Sequence, residues 1–497
     1  MALISNEDTP AHCGHDGNDA STLIPQTISH QHNNSTNSPG QTDDHTALSK
    51  RNTDLPENLE SSLVQLPPEL LQQILSYFSA QELAPVSATC RILAEHASND
   101  LLWANLVNAH LPFKIYDPGP FESFRRLYIT HHPCWFIPRN KIWFSDTEHT
   151  GSLILGRYDN RRGVIEAYRV VAERQSHHFQ FWTSNPEVMI QSFNPKVGLW
   201  LDDPVLLLKN GPSGKAGGLR YLNGEMRMPM ALEAQNVFSS FSLCSMEIPS
   251  HVTVNPKKQW PPVTIPSDRR VYRGIDDTPS SELDQMPESK NQISEVAFHL
   301  RRWPHFGTGT PYFTSANSET LSTYATLDPS LYTPTKEKPY QGIWVGDYSA
   351  HGCEFLLFLQ RDHEGGTTSP ATNSTPSQGS VLKESVESES EPEDIIQQGS
   401  LEAIKLTGDP NVPRGEVSFV ADDIGEDGLV RMAEEPLFQG ARIVHCKGHV
   451  AGLGFRDDTF LTSQLILISL DCVAHYWETM GHVSYFRRVD IDSLIQA

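Results

Sequence analysis

No basic segment followed by an apolar core opens this sequence, and no apolar run in it nears the length of a membrane span. The longest strongly apolar stretches, Leu465 to Leu470 and Val205 to Leu208, fall far short of the ~20 residues a spanning helix needs. Neither a secretory leader nor a helical membrane anchor is expected. Cysteine is sparse: seven in 497 residues, at Cys13, Cys90, Cys134, Cys244, Cys353, Cys446 and Cys472. An odd number at irregular spacing makes no disulfide framework and suits reduced thiols, so the expected location is cytoplasmic, nuclear or both. Basic residues are outnumbered, 38 Lys and Arg against 61 Asp and Glu, and no basic stripe interrupts the net charge of −23. Such a chain repels phosphate backbones, which argues against nucleic acid as its main ligand.

Catalytic signatures are missing as well. There is no Gly-x-Ser-x-Gly elbow, no His-Glu-x-x-His and no Rossmann glycine triplet. Gly211 to Ala216 imitates a phosphate-binding loop but lacks both its spacing and the hydroxyl that follows the lysine, and reads as a turn. Two Cys-x-x-His pairs, Cys446 with His449 and Cys472 with His475, offer zinc-ligand types. Both lie in strand-like segments, where residues three apart point to opposite faces, so neither pair converges without a bulge or turn. No metal, no cofactor and no catalytic residue is expected. Aromatic residues are absent from 1–60, where polar residues dominate. That segment buries too little apolar area to offset ordering entropy and is expected to be a disordered tail, its scattered histidines binding metal only adventitiously.

What the chain does have begins at Leu66. Pro68 suits a first helical position and Glu69 complements the positive end of a helix. Leu70, Leu71, Ile74, Leu75 and Phe78 then recur at helical spacing, and Ser79 to Leu83 reads as a connector. Pro85 fits the start of a second helix lined by Val86, Cys90, Leu93, Ala94 and Ala97, and Asn99-Asp100 precedes a third with Leu101, Leu102, Trp103, Leu106 and Val107. A unit of about forty residues buries too little surface to be secure alone, so a partner or a neighbouring domain is expected to cover its apolar face.

These residues resemble an F-box: Leu66-Pro67, Glu69-Leu70-Leu71, Ile74-Leu75, Leu83, Val86-Ser87, Cys90-Arg91 and Leu102-Trp103 stand where that family's pattern has them. The resemblance implies a Skp-type adaptor and a cullin-RING ubiquitin ligase as partners. It implies adaptor contacts at Leu66, Pro67, Leu70, Leu71, Ile74, Leu75, Leu83, Val86, Cys90, Leu102 and Trp103. A charge at Leu75 is expected to break that contact.

After a further helix expected at Phe121 to Ile129, the pattern turns to strands. Lys141 to Phe144, Ser152 to Tyr158, Val164 to Ala172, His178 to Trp182 and Val205 to Leu208 come first, punctuated by Gly and Pro. Residues 261–288 read as an irregular loop, and Ile293 to Trp303 as a short helix. A second strand-rich half runs from Gly342 to Val489 and suggests an antiparallel sheet closed or nearly closed into a barrel. Residues 362–399, rich in Ser, Thr and Glu, read as a disordered acidic insertion between two strands, which a slowly growing loop-closure cost tolerates. Ser388 and Ser390, each with an acid three residues on, suit an acidophilic kinase or are plain linker residues. The expected fold class is α+β: a tail (1–60), a three-helix unit (61–112), a linking helix (113–132), then mainly β substrate-binding structure over 133–361 and 400–497.

GIWVGDYSAHGCEFLLF (Gly342 to Phe358), IKLTGDPNVPRGEVSF (Ile404 to Phe419) and KGHVAGLGF (Lys447 to Phe455) resemble the C-terminal β-barrel of F-box only proteins of the cyclin-D-binding type. The resemblance implies a barrel that grips an extended C-terminal peptide of a degradation target. The Cys/His zinc quartet that animal members carry ahead of the barrel has no counterpart here, which leaves Ala231 to Trp260 without a reading. Within these motifs, Trp344, Gly346 and Tyr348 share one strand face, and Gly346 leaves room for a backbone to approach. His351 stands at a turn, and Asp409-Pro410-Asn411 forms another. Trp344, Gly346, His351, Asp409 and Asn411 are thus the candidate substrate contacts; turn capping for Asp409 and a buried core position for Trp344 are the alternatives. The function expected is a non-catalytic substrate receptor, with a non-degradative scaffold or an enzyme in the β region as rivals.

Overall fold

The computed structural model describes residues 62–176, 178–183, 185–209, 224–247, 255–273, 286–304, 320–362 and 397–496. The expected tail, nearly all of the expected acidic insertion with Ser388 and Ser390, and the stretch 274–285 of the expected loop lie outside these residues, as do Gly211 to Ala216.

The described residues begin with six helices: α1 (Pro68–Leu75), α2 (Ala80–Ser87), α3 (Arg91–Ala97), α4 (Asp100–Asn108), α5 (Phe124–His131) and α6 (Phe136–Asn140). The expected connector at Ser79 is in fact a helix start. Ser79 and Glu82 make a reciprocal capping box, the Glu82 carboxylate accepting from the Ser79 backbone N–H at 2.7 Å. Pro85 therefore sits near the end of α2, not at the start of a second helix, and the helix ends two residues later. Asn99 caps α4, and the Asp100 carboxylate accepts the Phe124 backbone N–H at 2.7 Å, fastening α5 to α4.

Among the described residues, twenty-two strands follow. The first run is β1 (Ile142–Ser145), β2 (Leu153–Asp159), β3 (Val164–Glu173), β4 (Phe179–Trp182), β5 (Asn185–Gln191), β6 (Lys196–Leu199), β7 (Leu206–Leu208), β8 (Met226–Met228), β9 (Val237–Ser245), β10 (Gln259–Trp260), β11 (Val271–Tyr272), β12 (Ile293–Pro304) and β13 (Thr320–Thr326). The second is β14 (Gly342–Asp347), β15 (Cys353–Arg361), β16 (Ser400–Lys405), β17 (Val417–Ala421), β18 (Leu429–Met432), β19 (Arg442–Gly452), β20 (Arg456–Ser469), β21 (Cys472–Trp477) and β22 (His482–Arg488), before a last helix, α7 (Ile491–Gln496). Ile293 to Trp303 is thus strand β12, not a helix. Its residues are buried on both faces, Phe298 and Leu300 toward one core and Ala297 toward another, and this erases the alternation that marks a half-buried strand.

The first sheet runs β6-β3-β2-β1-β13-β12-β9-β8 with β7 on β3, and β7 touches β8, so the sheet curls toward closure. The unassigned Ala231 to Trp260 region supplies β9 and β10 to this half. The second sheet runs β14-β15-β16-β17-β19-β20-β21-β22, and β22 pairs back onto β14, closing an eight-stranded antiparallel barrel; the β4–β5 hairpin extends it beyond β22. Three apolar cores result. One fills the barrel, with Trp344, Phe358, Phe419 and Phe486. A second lies between the barrel's outer face and the first sheet, with Ile142, Phe144, Ile343, Val345 and Leu357. The third joins the sheet's other face, through Trp143, Phe241 and Phe298, to the helices through Trp135, Trp103 and Leu71.

Candidate functional site

Two surfaces were expected to carry function. On α1 the helical repeat makes two neighbouring apolar stripes. Leu71 and Leu75 are 1% and 2% exposed and face the protein's own core, whereas Leu70 and Ile74 stay 47% and 37% exposed, next to Tyr77 at 79%. Leu83, Leu102 and Trp103 are buried as well, and the Trp103 indole N–H donates to the Ala97 carbonyl at 2.8 Å. These five positions, Leu71, Leu75, Leu83, Leu102 and Trp103, therefore belong to the interior of the helical unit and not to a docking surface. The physical reason is that α1 and α2 pack on α3, and α4 on α5, with Trp103 edge-on to Tyr128 at 5.4 Å. Leu66 and Val86 are half-buried; Pro67, Leu70, Ile74 and Cys90 are exposed. Ile92 and Leu101, absent from the expected set, are exposed too.

The barrel residues divide in a similar way. Trp344 has no exposed surface, stacks on Phe358 at 4.6 Å and donates its indole N–H to the Tyr340 carbonyl at 3.0 Å. It is core and not an aromatic wall for a ligand. A methyl group on Gly346 would lie 2.4 Å from the Phe486 ring, so the space left by the missing side chain is filled by the barrel itself and not by an approaching peptide. His351 is exposed on the turn after β14. Asp409 is buried: its carboxylate accepts the backbone N–H groups of Asn411 and Val412 at 2.6 and 3.0 Å, and the Lys405 ammonium at 2.6 Å. The Asn411 amide donates to the Ala451 carbonyl at 2.9 Å, tying this turn to the β19–β20 hairpin. Turn capping is thus the role that the geometry gives Asp409, with Asn411 as its brace. The structure leaves His351 at the surface and engages both turn residues internally.

The sequence reading missed the charge cluster around Asp409. The Lys405 ammonium also sits 2.8 Å from the Glu354 carboxylate and 4.3 Å from the centre of the Tyr348 ring, whose hydroxyl shares a 2.6 Å hydrogen bond with Ser418. Burial, more than the neighbouring Lys405 offsets, pushes the Glu354 carboxyl up to about 8. Asp409 goes the other way: burial opposes its ionisation, but Lys405 and the backbone donors outweigh it and hold it down at about 2. At neutral pH the cluster is one ammonium, one carboxylate and one neutral acid. The signal was present in the alternation, since Glu354 shares the inward parity of Leu356 and Phe358, and Lys405 that of Leu401 and Ala403. At the same end of the barrel the buried His475 ring nitrogen is 2.8 Å from the Ser463 hydroxyl, and burial pushes that imidazole down to about 3. Cys446 and His449 have separate partners, His449 being 2.7 Å from the Val417 carbonyl oxygen. Among the described residues, no group of three or more His, Cys, Asp or Glu is placed to hold a metal ion.

Residues 63–109, which contain α1 to α4, match the F-box-like family, and residues 324–493, which contain the whole closed barrel, match the Cyclin D1 binding domain. The chain carries an F-box-like segment and a C-terminal Cyclin D1 binding domain. It is also similar to Protein EXECUTER 2, chloroplastic, of Arabidopsis thaliana, 28% identical over 153 residues. That stretch is 30% of this chain and only 20% of the relative's length. The F-box segment and the barrel belong to one folded body, and α5 and α6 lie between them in the chain.

Proposed function

We propose that this F-box protein is the substrate-recognition subunit of an SCF-type cullin-RING ubiquitin ligase, working in the cytoplasm, the nucleus or both. The exposed stripe of Leu70, Ile74 and Tyr77 docks a Skp-type adaptor. The Cyclin D1 binding domain holds a protein target, by its C-terminal segment, for ubiquitination and degradation. The observation that carries this reading is the union, in one body, of an F-box-like segment with an uncovered apolar stripe and a barrel of a family named for binding a protein. The chain itself performs no chemistry: holding the target near a charged ubiquitin carrier raises the effective concentration of its lysines.

The test separates contact from folding. Ile74→Asp places an unpartnered carboxylate in the proposed interface at a cost of at least about 2 kcal/mol, more than tenfold in affinity. Adaptor co-purification is expected to fall to background while the melting temperature holds. Leu75→Asp, by contrast, is expected to unfold the helical unit. Full recovery of adaptor by a folded Ile74→Asp protein refutes the docking stripe. In a reconstituted ligase, a cyclin D1 C-terminal peptide is the first target to try, and adaptor binding without ubiquitin transfer favours a non-degradative scaffold.

A further inference from the structure

The mouth of the curled first sheet, at the end away from α6, holds a cavity of about 330 Å³ that neither the F-box segment nor the barrel uses. Strand register decides what faces into it. Arg302 on β12 is paired with Ser239 on β9 and Thr320 on β13, and lies two residues beyond Leu300, which points into the core shared with the helices. Arg169 on β3 is paired with Ile154 and follows Ala167, both in that same core. Arg169, Arg302, Ser239, Thr320 and Ser322 therefore line one opening.

Three features make this opening unlike an ordinary solvated rim. Among the described residues, neither the Arg169 nor the Arg302 guanidinium has a hydrogen-bond or ion-pair partner, whereas neighbouring Arg301 is 2.6 Å from Glu225. The Ser239 hydroxyl, on a residue 3% exposed, lines the cavity without a hydrogen-bond partner. One acid, Asp203, shares the lining, so the two unpaired arginines leave the site with a local positive excess inside a chain of net charge −23. Unmatched guanidinium forks and a buried unsatisfied hydroxyl call for a ligand with several strong acceptor oxygens.

We propose that this mouth is a binding site for a phosphate monoester, with Arg169 and Arg302 as its cationic clamps and Ser239 as a buried hydroxyl donor. A dianion with three terminal oxygens satisfies both forks and the hydroxyl at once, which one carboxylate with two oxygens does not. The chain's overall negative field slows approach, yet it is screened within about 10 Å, so at contact the local arginines dominate.

Calorimetric titration of the full-length protein with inorganic phosphate, a phosphoserine peptide and the same peptide unphosphorylated tests the site. Binding by a phosphate-bearing probe, weakened at least tenfold in Arg302→Gln and in Arg169→Gln and several-fold in Ser239→Ala, is the expected result. Binding of the phosphopeptide alone assigns the phosphate to a protein; binding of inorganic phosphate with equal strength assigns the site to the free group or a small phosphorylated molecule. No binding by either probe, equal binding of the unphosphorylated peptide, or binding unchanged in all three variants overturns the proposal. Adaptor co-purification by the same variants is expected to be intact, so failure here does not touch the ligase reading.

Discussion

Glu354, Lys405 and Asp409 show how a charge cluster is held inside a barrel filled mostly by aromatic and aliphatic side chains. Asp409 has two backbone donors besides Lys405 and keeps its charge; Glu354, buried and set between Lys405 and the negative Asp409, stays protonated up to about pH 8. The consequence for stability has a definite sign. Below the ordinary value of 4.5 both folded and unfolded chains carry the Glu354 proton, and the group contributes nothing. Between there and pH 8 only the folded chain holds it, so folding takes up a proton and stability falls as pH rises, by up to about 1.4 kcal/mol per pH unit. Glu354→Gln keeps the shape and removes the titration. In urea unfolding from pH 5 to pH 8 the variant is expected to lose this decline, so that it gains on the native protein steadily as pH rises; parallel curves refute the protonated state. Asp409, held low, acts oppositely, and its contribution is lost only as pH falls from its ordinary 3.8 toward 2. Its substitution by Asn is thus first a test of folding, since it strips Lys405 of its charged partner.

At the scale of elements, the barrel strands were legible because they alternate: Trp344, Gly346 and Tyr348 do share an inner face, with Ile343 and Val345 packed on the outer one. What alternation does not reveal is occupancy. Gly346 suggested room for a ligand's backbone, but the Phe486 ring of the partner strand β22 takes that room. Gly346→Ala is therefore expected to force this closing strand pair apart and cost about 1–3 kcal/mol, read as a lower melting temperature. A neutral effect places Phe486 elsewhere. Periodicity failed at two other elements for separable reasons. In β12 burial on both faces hid the two-residue repeat, and in α1 two apolar stripes lie side by side, so spacing alone cannot tell which of Leu70 and Leu71 faces a partner.

The whole molecule resolves the question raised by a helical unit too small to be secure alone. Its inner stripe is sealed by its own polypeptide while Leu70, Ile74 and Tyr77 stay exposed, so intramolecular cover and an outward apolar stripe coexist. The seal is extensive: one apolar core runs from Leu71 through Trp103 and Trp135 to Trp143 and Phe298. The Trp135 indole N–H also donates to the Tyr128 carbonyl at 3.0 Å, and His110 stacks on the Trp135 ring at 6.1 Å. Residues 62–112 made as a separate fragment lose all of this cover, and the fragment is expected to show little helical circular dichroism. The complementary chain starting at residue 113 keeps both sheets but bares Leu127, Tyr128 and Trp135. It is expected to bind a hydrophobic dye and melt several degrees below the intact protein, with the first sheet affected before the closed barrel. A fragment that folds alone, beside a truncated body of unchanged melting temperature, would make the helices and the sheets independent domains and remove the rigid spacing between adaptor and target on which the receptor mechanism depends.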